Sequence, residues 1–137
     1  MIHTEPITNY KRFRVLTLLS LARGRIENPA NWSSRHFAAT KHDVSCAVTV
    51  PEAVMWSVYG AIIYAMFQMA KNRNESPDAA SYTLLVHQAA SAVAEAAGVP
   101  SCHPHVELTD WNNTHAHEEV MAAMDTAIKA WLPKDET

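Results

Sequence analysis

The sequence predicts a mainly α fold, a single domain of about four helices packed around a buried central helix at residues 52–71. Three observations favour this fold. One segment is almost wholly apolar, three further segments repeat apolar residues at helical spacing, and the 137 residues include only three glycines. Few glycines and prolines placed between the apolar segments are typical of helices rather than of a glycine-rich β fold. We expect an ordered core over about residues 8–132.

The predicted central helix has the sequence EAVMWSVYGAIIYAMFQMAK. Thr49 can cap its first turn, Pro51 fits within that turn, and Glu52 can reach back three residues. Because nearly every residue from 53 to 70 is apolar, we expect burial around most of the helix. The run is at the short end of what spans a bilayer and contains Ser57 and Gln68, so no membrane association is predicted.

One line along this helix is less apolar than the rest. It consists of Ala53, Ser57, Gly60, Ala61, Tyr64, Gln68 and Lys71. A glycine inside a helix costs about 1 kcal/mol relative to alanine, so something is expected to approach closely at Gly60. The candidates are a neighbouring helix, a second copy of the chain, or a ligand groove with Tyr64 and Ser57 as polar contacts.

A first helix is predicted over Thr8–Glu27. Its core face consists of Val15, Leu18, Leu19, Ala22 and Ile26, and its other positions include Lys11, Arg12, Arg14, Arg23 and Arg25. Basic residues on one helix can contact phosphates, but they more often form a solvated face. Nucleic acid is therefore not an expected partner.

Residues 29–50 are the least regular part of the chain. Two short β-tolerant runs at residues 37–40 and 44–48 predict a small β-hairpin near residues 36–48. Trp32, in the same region, is expected to fill a hydrophobic gap, with the wall of a ligand site as the alternative.

Two more helices are predicted in the second half of the chain. Ser76 is the expected cap of the third helix, which ends at Ala97 before Gly98. Residues 101–113 are expected to form a long connection with a short extended piece at 106–108. Thr114 is then the expected cap of the last helix, whose apolar stripe is Val120, Met121, Met124, Ala127, Ile128 and Trp131.

Composition and charge restrict the partners. Two cysteines do not form a disulfide scaffold, and the N-terminal residues lack the apolar core of a signal peptide, so a cytoplasmic location is predicted. Residues 1–73 carry a net charge of +5 and residues 74–137 carry −8. Unless packing mixes these charges, the molecule is suited to head-to-tail association or to a charged partner.

Three motifs in order resemble a known family. They are Trp32 after the first helix, the A-x-x-W-x-x-x-G-A pattern of Ala53, Trp56, Gly60 and Ala61, and Trp111-Asn112-Asn113-Thr114 followed by Glu119-Val120. Over roughly residues 10–130 the chain resembles a family of small domains of unknown function from bacteria and tailed phages. Members of that family often carry Cys at the position of Ser57, and the segment between Asn113 and Glu119 fits less closely. The resemblance implies a compact helical domain and a phage or mobile-element origin, and it implies no activity.

Metal binding is the first chemistry to consider, because imidazole and thiolate are good ligands. The candidates are Cys102, His103, His105, His115 and His117. Their spacing is poor, since residues two apart on a helix point in different directions and Met121 replaces the second histidine of an H-E-x-x-H motif. No catalytic serine or cysteine motif, no phosphate loop and no cofactor motif is present, so an enzyme is not favoured.

Trp111, Asn112 and Thr114 form the most specific candidate site for a ligand. An aromatic ring and amides beside a helix start can hold a base and an anionic group, although closing the end of the core is the commoner role. The leading hypothesis is a non-enzymatic binding protein, a phage or mobile-element accessory factor that acts on a host protein or by self-association. The alternatives are a nucleotide-like ligand bound by Trp32, Trp111 and Asn112, and a metal-dependent enzyme.

Overall fold

The computed structural model describes residues 5–100 and 102–133, with side chains from Tyr10 onward. Its helices are α1 (Glu5–Ile26), α2 (Val58–Asn72), α3 (Ala80–Ala97), α4 (Pro104–Asn113) and α5 (His117–Trp131). A 3₁₀ turn at Pro29–Asn31 and two short strands, β1 (Ala38–Ala39) and β2 (Met55–Trp56), lie between α1 and α2. The mainly α fold with one small antiparallel sheet is confirmed.

Helix α1 carries the core face that its sequence predicts. Its five predicted core residues, Val15, Leu18, Leu19, Ala22 and Ile26, are all fully buried. This face packs against α2, α5 and α3, so α1 is in contact with three of the other four helices. Apolar residues at helical spacing therefore identified this element correctly.

Helix α2 begins six residues later than predicted. Thr49, Pro51 and Glu52 belong to turns, and Trp56 lies in β2, where its indole Nε1 donates to the carbonyl of Val48 at 3.1 Å. The actual cap is Ser57, whose Oγ accepts from the amide of Gly60 at 3.0 Å. Thr49 therefore lies in a turn, and a strand separates that turn from the helix.

The predicted hairpin forms in part. Residues 38–46 turn back on themselves, with hydrogen bonds from the amide of Thr40 to the carbonyl of Val44 and from the amide of Cys46 to that of Ala38. Within the two-stranded sheet, however, β1 pairs with β2, and Ala38 lies opposite Trp56. The pairing of β1 with β2 thus fixes the position of the segment that leads into α2.

Helix α3 also begins later than predicted. Ser76 closes a turn by accepting from the amide of Asp78 at 3.2 Å, and the helix itself begins at Ala80. Its core face and its end are as predicted, because Tyr82, Leu85, Val86, Ala89 and Val93 are buried and Gly98 adopts the left-handed conformation at φ 79°.

The predicted connection at residues 101–113 is wrong. Pro104 starts α4 there, and no extended piece forms at residues 106–108. Thr114 consequently ends α4, its Oγ1 donating to the carbonyl of Asp110 at 3.1 Å, whereas α5 begins after Ala116. Glu119 accepts from the Ala116 amide at 2.9 Å and completes the first turn of α5. The described residues therefore form five α-helices instead of the four that were predicted.

Helix α2 is the most apolar helix, and its sequence raised the question of a membrane-spanning segment. Within the ranges that the structure describes, no helix has the combined length and hydropathy that a bilayer crossing needs.

Candidate functional site

Asn112 joins three segments of the fold. Its Oδ1 accepts from the indole Nε1 of Trp32 at 2.9 Å and from the amide of Val58 at 3.1 Å. Its Nδ2 donates to the carbonyl of Ser33 at 3.0 Å, and the residue is 0% exposed. Asn112 thus fixes the end of α4, the first amide of α2 and the segment after the 3₁₀ turn in one arrangement.

The structure brings Trp32, Asn112 and the start of α2 together, as a ligand site there would require. At least three of the four hydrogen bonds that an asparagine amide can make are nevertheless used inside the protein. Trp111 is buried and stacks on His115 with ring centroids 4.7 Å apart, and Thr114 closes the helix beside it. These contacts favour a structural role for residues 111–114 over a role in holding a nucleotide base.

Gly60 has the close approach that its sequence position indicated. A Cβ atom built on Gly60 would lie 1.8 Å from the carbonyl oxygen of Phe37. The same oxygen accepts from the amide of Ser57 at 3.2 Å. The approaching group is therefore the backbone next to β1. It covers the part of the predicted line that contains Ser57 and Gly60.

The C-terminal part of that line borders a groove at the surface. Tyr64, Gln68 and Lys71 line a groove of about 330 Å³ together with Thr49 and Phe67. Within it the Tyr64 hydroxyl already accepts from Gln68 Nε2 at 3.1 Å. Of the predicted ligand residues, Tyr64 lines this groove.

The five candidate metal ligands do not converge on one site, and the three whose side chains make contacts have different partners. His105 faces the ring of Tyr59 at 5.9 Å, His115 stacks on Trp111, and His117 Nε2 lies 2.7 Å from the carbonyl oxygen of Ile26. Cys102 and His103 are exposed before α4. In the part of the chain with described positions, no three His, Cys, Asp or Glu side chains are grouped to hold a metal ion.

A polar cluster follows α2. Glu75 accepts from the hydroxyl of Tyr82 and, at 3.3 Å, from Arg73 Nε. The Tyr82 hydrogen bond, with Arg73 nearby, lowers the pKa of Glu75 below its ordinary value of 4.5. Burial, with the bond to Glu75, raises the pKa of Tyr82. This cluster ties the turn after α2 to the first turn of α3.

The arginines of α1 do not form a solvated face as the sequence suggested. The guanidinium of Arg25 lies over the rings of Tyr64 and Trp56, at 4.2 and 4.9 Å from their centroids. Arg14 lies 5.0 Å from the centroid of the Tyr82 ring, and Arg23 pairs with Asp125 of α5. Guanidinium groups stack favourably on aromatic faces, so these side chains lie along the flanks of α1.

The outward surface of α1 is instead uncharged. We define the α1 outer face as Tyr10, Phe13, Thr17, Ser20, Leu21 and Gly24, which share the side of the helix opposite to its core face. Phe13 is 66% exposed, Tyr10 49% and Leu21 42%. Thr17 donates its hydroxyl to the carbonyl of Phe13 at 2.9 Å, so its methyl group adds to the apolar surface. None of the six residues carries a charge.

Sequence reasoning missed this surface although its signal was present. The five basic residues predict a solvated face as a group, but none of them lies directly opposite Leu18 and Leu19. The positions opposite hold Phe13, Thr17 and Gly24, whereas Arg23 and Arg25 lie beside the core face. A helical wheel drawn from the core face outward indicates the uncharged strip.

The family comparison covers nearly the whole fold. A family model described as a family of unknown function matches residues 11–130, which include every helix contact described above. The chain belongs to the DUF6197 family. Comparisons of this DUF6197 chain with curated proteins and with solved structures gave no match. The match confirms that the chain resembles a family of unknown function over roughly residues 10–130. It assigns no activity.

Proposed function

We propose that this chain is a non-enzymatic binding protein whose α1 outer face docks an amphipathic helix of a partner protein, with acidic residues beside the partner's apolar stripe. The observation that carries the proposal is the exposed, uncharged strip around Phe13 on a helix whose other side is fully buried. A phage or mobile-element origin stays a prediction from the sequence motifs.

An exposed apolar strip on a soluble domain marks an interaction surface more often than isolated apolar residues do. Tyr10, Phe13 and Leu21 succeed one another along one helix face, at the spacing that an antiparallel or crossing helix can cover. Thr17, Ser20 and Gly24 between and beyond them are small, so a partner backbone can come close. A helix is therefore the occupant that fits this shape.

Charge complementarity indicates the sign of the partner. Arg14 and Arg25 lie along one edge of the α1 outer face and Arg12 and Arg23 along the other. Within the described residues, Arg14 and Arg25 are stacked on aromatic rings and form no salt bridge. Carboxylates on a docked helix would meet the positive charge of Arg14 and Arg25 at one edge, whereas Arg23 at the other edge is already paired with Glu27 and Asp125.

The same charges disfavour an antiparallel second copy of the chain as the occupant. Two α1 outer faces packed antiparallel would bring the edge that carries Arg14 and Arg25 against the same edge of the other copy. Like charges across an interface are a device against wrong partners. Self-association, which the sequence left open, thus becomes an outcome that the experiment must be able to detect.

The test uses the full chain and a labelled amphipathic peptide with a Leu/Phe stripe flanked by Glu, measured by fluorescence anisotropy. We expect saturable binding that weakens with salt, and about tenfold or greater loss in the double variant Phe13→Ser with Leu21→Ser. Val106→Ser removes a comparably exposed apolar residue from α4 and serves as the matched control.

A second peptide carries Lys in place of Glu and tests the charge. Equal binding of the two peptides, or binding that the Phe13→Ser and Leu21→Ser changes leave intact, would overturn the proposal. Light scattering on the chain alone gives the remaining outcome. A dimer that dissociates in the double variant would make a second copy the occupant and would equally overturn it.

A further inference from the structure

A second surface of the molecule is concave. An open groove of about 230 Å³ lies between α2, α3 and the start of α4, and it shares no residue with the α1 outer face. Its floor is apolar and built from Ile63, Met66, Val86 and Ala90, of which the last three are buried side chains. A concave apolar floor with a few polar groups at its edge is the usual form of a ligand site.

The first of these polar groups is the hydroxyl of Tyr59. Its ring is held between Phe37 and His105, at centroid distances of 5.6 and 5.9 Å, so its direction is set by packing. Burial raises the pKa of Tyr59, which keeps the hydroxyl protonated and able to donate. In the described residues this hydroxyl has no hydrogen-bond partner of its own, whereas the hydroxyls of Tyr64 and Tyr82 each have one.

Two imidazoles complete the edge of the groove. His87 comes from α3 and His105 from the first turn of α4, and both are exposed. The nearest carboxylate along α4, that of Glu107, is not among the groove-lining side chains and accepts from the amide of His103 at 3.1 Å. No Asp or Glu is among the groove-lining side chains, so no carboxylate of the lining repels a bound anion.

We propose that this groove binds a small monoanion with an apolar body, a monocyclic aromatic or branched-chain carboxylic acid. The apolar body lies on Met66, Val86 and Ala90. The carboxylate accepts hydrogen bonds from the Tyr59 hydroxyl and from the N–H groups of His87 and His105. The volume is below the roughly 300–1,000 Å³ of sites for drug-sized molecules, which limits the ligand to a single ring or a short branched chain.

The experiment titrates the full isotope-labelled chain with phenylacetate and follows backbone amide and methyl signals by NMR. We expect saturable shifts confined to the groove, with the largest at the Met66 methyl group and at the amides around His87 and His105. The matched probe, 2-phenylethanol, has the same ring and lacks the carboxylate, and we expect it to bind at least about fivefold more weakly.

Three variants test the assignment within the folded protein. Thr83→Trp places a large side chain at the exposed edge of the groove and should abolish the phenylacetate shifts while leaving the remaining spectrum native. The double variant His87→Ala with His105→Ala should remove the preference for phenylacetate over 2-phenylethanol. His42→Ala changes an exposed loop histidine and should leave that preference unchanged.

Three results would overturn the site. They are the absence of shifts at millimolar phenylacetate, shifts located outside the groove, and equal affinity for phenylacetate and 2-phenylethanol. Shifts in the Thr83→Trp variant equal to those of the native chain would do the same. None of these measurements depends on the peptide interaction of α1, so the two proposals succeed or fail separately.

Discussion

The carbonyl of Phe37 lies where the Cβ of any larger residue at Gly60 would have to be, 1.8 Å from the ideal position of that atom. Because the clash is with backbone rather than with a flexible side chain, neither β1 nor the first turn of α2 can relieve it locally. We expect Gly60→Ala to lower the free energy of unfolding by about 3 kcal/mol, the upper part of the usual cost of overpacking. Urea denaturation followed by circular dichroism measures this change.

Gly24 provides the matched control. It also lies within a helix, but nothing approaches within 4 Å of the position of its Cβ atom. Gly24→Ala should therefore gain the intrinsic helix preference of alanine, about 0.5–1 kcal/mol. If both alanine variants shift stability in the same direction, the Phe37 contact is not what requires glycine at position 60.

Gly60 also shows how far the sequence could predict the site. The helical cost of glycine correctly indicated a close approach, but local pattern does not say which segment approaches. Which segment approaches Gly60 depends on the pairing of β1 with β2. The type of residue at Ala38 and Trp56 does not predict that these two residues lie opposite each other. The predicted occupants, a helix, a second copy or a ligand, were wrong because the occupant is backbone from an irregular segment.

The fold was predictable where one helix face is buried and the other is not. The core faces of α1 and α3 satisfy this condition, and their predicted residues are buried. The starts of α2 and α3 were misplaced because Thr49 lies in a turn before α2 and Ser76 caps a turn before α3. Helix α4 was missed because Pro104 begins a short element whose apolar residues are few.

The side chain of Asn112 is expected to contribute strongly to the free energy of unfolding, because it bonds to three separate groups. Asn112→Ala would leave the Trp32 indole N–H, the Val58 amide and the Ser33 carbonyl without their partner. Each buried group left unsatisfied costs about 1–3 kcal/mol, so we expect a loss of about 3 kcal/mol or more. Urea denaturation followed by circular dichroism measures this loss.

Two further variants separate the hydrogen bonds from general effects of substitution. Trp32→Phe removes one donor and keeps an aromatic ring, and it should cost about 1 kcal/mol for the bond together with part of the ring's packing. Asn72→Ala changes an exposed asparagine at the end of α2 and should stay within about 0.5 kcal/mol. A near-neutral Asn112→Ala variant would show that Asn112 does not join these segments energetically.

The Glu75 and Tyr82 pair predicts how stability depends on pH. The pKa of Glu75 is lowered in the folded protein, first by the Tyr82 hydrogen bond and then by Arg73. The folded state therefore favours the carboxylate more than the unfolded state does. The resulting stabilisation is fully present above the ordinary value of 4.5 and is lost as the pH falls through the lowered folded value.

Glu75→Gln should consequently be less stable than the native chain at neutral pH, and the difference should shrink on acidification. Urea denaturation of both proteins between about pH 6 and about pH 3 measures the change in that difference. Glu52→Gln removes one exposed carboxylate from a turn and corrects for the loss of charge alone. A difference that is constant with pH, or one that grows in acid, would mean that the Tyr82 hydroxyl does not hold the Glu75 carboxylate in solution.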